Sequence, residues 1–121
     1  MVQSASTVFF EDDVQLTSVL KHLVAILARE VEPDRIILFG SRARGDSEER
    51  SDYDICVLKK DVVHRRTLAK RIYRLLYEVD APVDVIVETP ERFEQLKSNR
   101  FMIYKEIDRH GQVIYERPGS R

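Results

Sequence analysis

The sequence predicts an α/β fold, a small mixed β-sheet flanked by helices. Three observations carry that prediction. The short continuous apolar run Arg35 to Phe39 reads as a strand covered on both faces, and Val83 to Val87, apolar but for Asp84, reads as another strand. Two longer stretches repeat apolar residues every three or four positions, as helices do. Turn residues separate these stretches, and helix-like and strand-like segments alternate along the chain. A length of 121 residues fits one domain with one modest core.

Taken in order, Met1 to Phe10 show no period, and residues 1–12 are expected to form a flexible arm. Asp12 or Asp13 can cap a helix from about Asp13 to Glu30. Its stripe is Leu16, Val19, Leu20, Leu23, Val24 and Leu27. His22 falls off the stripe and reads as a solvated surface side chain. Glu32-Pro33-Asp34 breaks the helix, and Arg35 to Phe39 is the first strand. Gly40 ends it, Ser41 to Arg44 allows a helical turn or two, and Gly45 stops them. Asp46 to Arg50 is a polar loop. Ser51 to Leu58 is the second strand, and Lys59-Lys60-Asp61 a turn.

A helix from about Val62 to Val79 buries Leu68, Ile72, Leu75, Leu76 and Val79. Its cluster of His64, Arg65, Arg66, Lys70, Arg71 and Arg74 reads as a solvated face, with docking of an acidic partner or RNA as the alternative. Val83 to Val87 is the third strand. Thr89 as N-cap and Pro90 at the first helical position open a short helix. A last helix spans roughly Asn99 to Arg109, with Gly111 just past its end. Val113 to Tyr115 adds an edge strand, and residues 116–121 are a flexible tail.

The net charge of −1 argues against direct nucleic-acid binding through bulk charge. No apolar run reaches the roughly 18 residues of a membrane span. No basic-then-apolar leader is visible at the N-terminus. The lone Cys56 lies in an apolar run and reads as a buried structural thiol. These features together point to a cytoplasmic protein.

The chemistry gathers between Leu38 and Leu58. Gly40-Ser41 after a strand offers backbone N–H groups and a hydroxyl to a phosphate, with Arg42 and Arg44 as cationic support. Neither a Walker A loop nor a dinucleotide fingerprint is present. Asp52 and Asp54 are two apart, which in a strand places both on one face. Two such carboxylates repel unless a cation sits between them, and Mg²⁺ suits an oxygen-only set. Alone, the pair also suits an exposed polar strand end. Asp84 interrupts the otherwise apolar Val83 to Val87, where an unpaired buried carboxylate is costly, so it must reach a cation, a donor or an edge facing solvent. A phosphate loop, paired aspartates and a third acid, in that order, suit two-metal phosphoryl transfer.

Gly40-Ser41, then Asp52-Tyr53-Asp54, resembles the signature of the polymerase-β nucleotidyltransferase superfamily. The fuller text, Leu38 to Gly45 followed by Ser51 to Asp54, is similar to its minimal nucleotidyltransferases, the MNT group. The family more often shows an aliphatic residue at Tyr53 and Leu near Ile55-Cys56. The resemblance implies a polymerase-β-like fold, with two Mg²⁺ ions on Asp52, Asp54 and Asp84. It implies ATP as donor, its phosphates on Gly40 and Ser41 with Arg42 helping, and Asp84 activating the acceptor hydroxyl. MNT proteins act as antitoxins that transfer AMP to a tyrosine of a HEPN-domain ribonuclease toxin. Two alternatives stand beside that expectation. One is a non-catalytic module that neutralises its partner by occlusion. The other is a nucleotidyltransferase for a small molecule or RNA.

Overall fold

The structure is a computed structural model, and it describes residues 17–48 and 51–119. Four strands form one sheet in the order β3-β2-β1-β4. They are β1 (Arg35–Phe39), β2 (Tyr53–Leu58), β3 (Val83–Glu88) and β4 (Gln112–Glu116). β1 pairs antiparallel with β2 and β4, while β2 and β3 run parallel, so the sheet is mixed as the sequence predicts. The helices are α1 (Ser18–Glu30), α2 (Ser41–Arg44), α3 (Arg65–Leu75), α4 (Pro90–Leu96) and α5 (Ile103–His110).

Strand alternation divides the core between the two faces. Ile36, Leu38, Ile55 and Val57 pack with Leu20, Leu23 and Leu27 of α1 and Ile72 of α3. Ile37, Phe39, Cys56 and Leu58 pack against Phe93 of α4 and Tyr104 and Ile107 of α5. Cys56 is fully buried, and burial pushes its thiol up to about 12, consistent with an inert structural role.

Several boundaries differ from expectation. α1 begins at Ser18, because the Thr17 side chain accepts the Leu20 N–H and caps it there. The expected caps, Asp12 and Asp13, lie outside the described residues, as does the N-terminal arm. α3 starts at Arg65, after Asp61 turns the chain at φ 62°, and tightens into a 3₁₀ turn at Leu76–Glu78. α5 starts at Ile103, since residues 97–102 form turns. Gly111 has an ordinary φ of −74°, and a Cβ there would lie 2.6 Å from Ile37 Cγ2. It is therefore glycine for close packing and not for a left-handed cap. The tail is tied further than expected: Glu116 belongs to β4, and the Arg117 N–H donates to the Asp34 carbonyl. Thr89 and Pro90 open α4 as predicted. His22 sits on the surface beside Glu78, at 3.0 Å. No helix among the described residues is long and apolar enough to cross a membrane.

Candidate active site

The antiparallel β1–β2 pairing sets Phe39, the last residue of β1, opposite Asp54 near the start of β2. Gly40 follows with φ 75° and ψ −157°, a conformation open essentially to glycine alone. A side chain is excluded for a second reason. A Cβ on Gly40 would run into the Asp54 carboxylate, whose Cγ lies 3.2 Å from that position. Ser41 then starts α2, and Gly45 closes it in the left-handed region, its N–H donating to the Ser41 carbonyl at 3.0 Å. The backbone at Gly40-Ser41 is thus pressed against the Asp54 carboxylate.

The parallel β2–β3 pairing sets Asp84 directly opposite Asp54. Both belong to the sheet face that Cys56 and Leu58 share with α4 and α5. β3 is an edge strand and Asp84 is exposed, so solvent relieves its charge. Register with Asp54, not burial, ties Asp84 to the site. Asp52 lies one residue before β2, contrary to the expectation of a strand from Ser51, and is exposed. Its charge still reaches Asp54. Burial first, then the charges of Asp84 and Asp52 and a hydrogen bond with Asp84, raise the Asp54 pKa above its ordinary value, with Arg44 opposing.

A cavity of about 590 Å³ opens over these groups, lined by Phe39, Gly40, Ser41, Arg44, Asp54, Ile103 and Glu106. Arg44 donates to Glu106 at 2.9 Å and to Asp46 at 3.3 Å, and these bonds favour its charged form. Glu106 and Ile103 escaped sequence reasoning. They lie about fifty residues beyond the motif's last aspartate, and helical periodicity assigns them no chemistry.

Arg42 stands apart from this cavity. Its Nε and Nη2 both donate to the Ser51 carbonyl, at 3.1 and 2.9 Å, and its guanidinium stacks 3.9 Å over the Tyr53 ring. Through these contacts its guanidinium serves the chain segment that leads into β2.

The donor set suits a hard divalent cation, because it consists of carboxylates that repel one another. Among the described residues, however, no three His, Cys, Asp or Glu side chains already stand as a metal cage. A magnesium ion commonly takes one or two carboxylates and completes its shell with water and substrate phosphate, so the two observations agree.

The family model described as polymerase beta, nucleotidyltransferase, matches residues 21–119. Two Methanocaldococcus jannaschii proteins named as candidate protein adenylyltransferases are similar. One is 43% identical over 51 residues, covering 38% of this chain and 52% of the relative, so the chain spans about half that relative's length. The other is 33% identical over 81 residues, covering 67% and 77%. Among solved structures, a toxin–antitoxin complex with AMP-PNP aligns with TM-score 0.50 and 26% identity, over 77% of this chain and 70% of that one. A mutant MntA–HpeT toxin–antitoxin complex aligns with TM-score 0.56 and 24% identity, over 86% and 76%, which speaks for the fold alone.

Proposed function

The chain belongs to the polymerase-β nucleotidyltransferase family, and we propose that it transfers AMP from ATP to a hydroxyl of a partner polypeptide. The observation that carries this reading is the register of Asp54 against Asp84 beside the Gly40-Ser41 turn. The relatives' names supply the donor and the acceptor class. Both curated relatives are named for protein adenylylation, and one structural neighbour is a toxin–antitoxin complex with an ATP analogue. The reading extends to an antitoxin whose acceptor is a tyrosine of a HEPN-domain toxin, on the strength of the MNT-like motif.

Gly40 and Ser41 seat the β- and γ-phosphates, and Arg44 at the cavity wall adds positive charge. Asp52, Asp54 and Asp84 would hold two Mg²⁺ ions. Those ions would supply neutralisation of charge on the attacking and leaving oxygens. The acceptor oxygen bonds to the α-phosphorus, the α–β phosphoanhydride bond breaks, and pyrophosphate leaves. The hydroxyl proton passes to Asp84, whose exposed edge position faces an incoming acceptor. The chain's contribution is alignment and a fixed field.

The test is to incubate the protein with its cognate toxin, ATP and Mg²⁺ and to weigh the toxin by mass spectrometry. An added AMP mass, absent when Asp52→Ala and Asp54→Ala are combined, is expected. If no mass is added, yet that double variant neutralises the toxin as well as wild type does, occlusion replaces transfer as the mechanism.

A further inference from the structure

Of the three candidate metal-binding aspartates, Asp52 is the one that no sheet ladder holds. It lies outside β2 and is exposed, and residues 49 and 50 before it fall outside the described set. Its position depends on what fixes its neighbours. On one side the Tyr53 N–H donates to the Pro82 carbonyl at 3.0 Å, and Tyr53 is buried. On the other side stands Ser51, bonded twice to Glu48. The Ser51 N–H donates to the Glu48 carbonyl at 3.0 Å, and the Glu48 N–H donates to Ser51 Oγ at 2.8 Å.

Arg42 ties Ser51 and Glu48 to the Gly40-Ser41 loop. One guanidinium makes two bonds to the Ser51 carbonyl and a longer one, 3.4 Å, to the Glu48 carbonyl. The same guanidinium lies flat on the Tyr53 ring at 3.9 Å, and the Tyr53 hydroxyl is 3.2 Å from Thr17 Oγ1 at the α1 cap. Arg42 therefore touches both residues that flank Asp52. It sits one residue from Ser41, so it couples the seat for phosphate to the seat for metal. A planar fork with several fixed donors and a stacking face can do this; a lysine ammonium, a point charge, cannot reproduce it.

We infer that Arg42 is a positioning residue for Asp52, holding that carboxylate for metal binding through the Ser51 carbonyl and the Tyr53 ring. The inference rests on the proposed reading of Asp52 as a metal ligand. Groups that orient a ligand commonly set metal affinity by roughly 10–100-fold.

The experiment measures Mn²⁺ bound by the full chain in the presence of AMP-PNP, from the loss of the free-ion electron paramagnetic resonance signal. Wild type, Arg42→Ala and Arg42→Lys are compared. Thermal melts and metal-free AMP-PNP binding are recorded for each. The expected result is Mn²⁺ affinity weakened by roughly 10–100-fold in Arg42→Ala, with metal-free AMP-PNP binding unchanged. Arg42→Lys, which keeps the charge without the fork, is expected to recover only part of the loss. Arg42→Ala binding Mn²⁺ as wild type does would overturn the inference. So would a loss of metal-free AMP-PNP affinity, which marks a direct phosphate contact, or full recovery by lysine, which marks a purely charge effect. If Arg42→Ala fails to fold, the lysine variant decides: full recovery overturns the inference and partial recovery supports it. Wild type that binds no Mn²⁺ with AMP-PNP overturns the parent reading of the site, and this inference with it.

Discussion

Gly40→Ala joins the backbone argument to the chemical one. The backbone at Gly40 has φ 75° and ψ −157°, where an L side chain is strained. Holding alanine there costs about 1–3 kcal/mol. For a domain of this size a kcal/mol corresponds to roughly 4 °C, so the melting temperature should fall by about 4–12 °C. The new methyl also meets the Asp54 carboxylate, which must move. A misplacement of about 1 Å in a catalytic group commonly costs on the order of 100-fold in rate, so AMP transfer should fall by at least that.

Gly45→Ala separates the two effects. Gly45 also has a positive φ of 85°, but a Cβ there meets nothing within 4 Å. It should lose about 1–2 kcal/mol through conformation alone and keep its activity. The assays are thermal melts with and without ATP and Mg²⁺, and AMP transfer read by mass. A ligand at a hundred times its Kd adds about 2.7 kcal/mol, a shift that wild type and Gly45→Ala should show and Gly40→Ala should lack. Gly40→Ala transferring AMP at the wild-type rate would refute the claim that this turn positions Asp54. Equal loss in Gly45→Ala would assign the damage to α2 and not to Asp54.

Further outcomes are expected. The Asp54 pKa is raised above 3.8 in the fold, so the protonated form is favoured there; its contribution to stability is present below 3.8 and is lost as pH rises through the folded value. Without metal and nucleotide, Asp54→Asn should therefore melt higher than wild type at neutral pH, with the gap closing in acid, and should gain nothing from ATP and Mg²⁺. Tyr104→Phe removes the 2.6 Å hydrogen bond to the fully buried Glu88 and should lower stability by about 1–3 kcal/mol in urea titrations. Transfer should persist in that variant, since Glu88 lies four residues along β3 from Asp84, about 13 Å at the strand rise. Arg117→Ala removes the 2.7 Å bond to the buried Asp34 and should cost about 1–3 kcal/mol, with faster amide exchange across β4.

What the sequence disclosed follows from how local each signal is. Gly40-Ser41 was legible because a glycine that ends an apolar run marks a backbone demand. Asp84 is legible because an acid in an apolar run is anomalous, and of the cation, donor or solvent-facing edge that the sequence allows it, the edge strand supplies the exposure. The cap of α1 is not legible in the sequence, because several polar residues compete near its start and only geometry selects Thr17. α3 ends sooner than its apolar period suggests, because Leu76 and Val79 keep that period while the backbone tightens into a 3₁₀ turn. The Arg42 bonds to the Ser51 carbonyl carry no signal in the sequence, because a backbone carbonyl nine residues on is an acceptor any residue type could supply. Glu88 gave no signal either, since Arg65, Arg92 and Tyr104 reach it from three separate helices.

The two ends of the sheet treat their carboxylates in opposite ways. At one end Asp34 meets Arg117 and the Lys60 N–H, and Glu88 meets Arg65, Arg92, Tyr104 and the Thr89 N–H. These acids are buried and their charges compensated, so they hold β4, α3, α4 and α5 to the sheet. At the other end Asp54 is surrounded by the charges of Asp84 and Asp52, with Arg44 the opposing influence. A structural role would be served better by the first arrangement at both ends. The mixed topology creates the second: β1 and β2 bring a backbone turn to an acid, and the parallel β3 adds another acid in register. The repulsion left at that end is a cost that a bound cation would remove, so on the proposed reading cation and nucleotide binding would stabilise the folded chain as well as arm it.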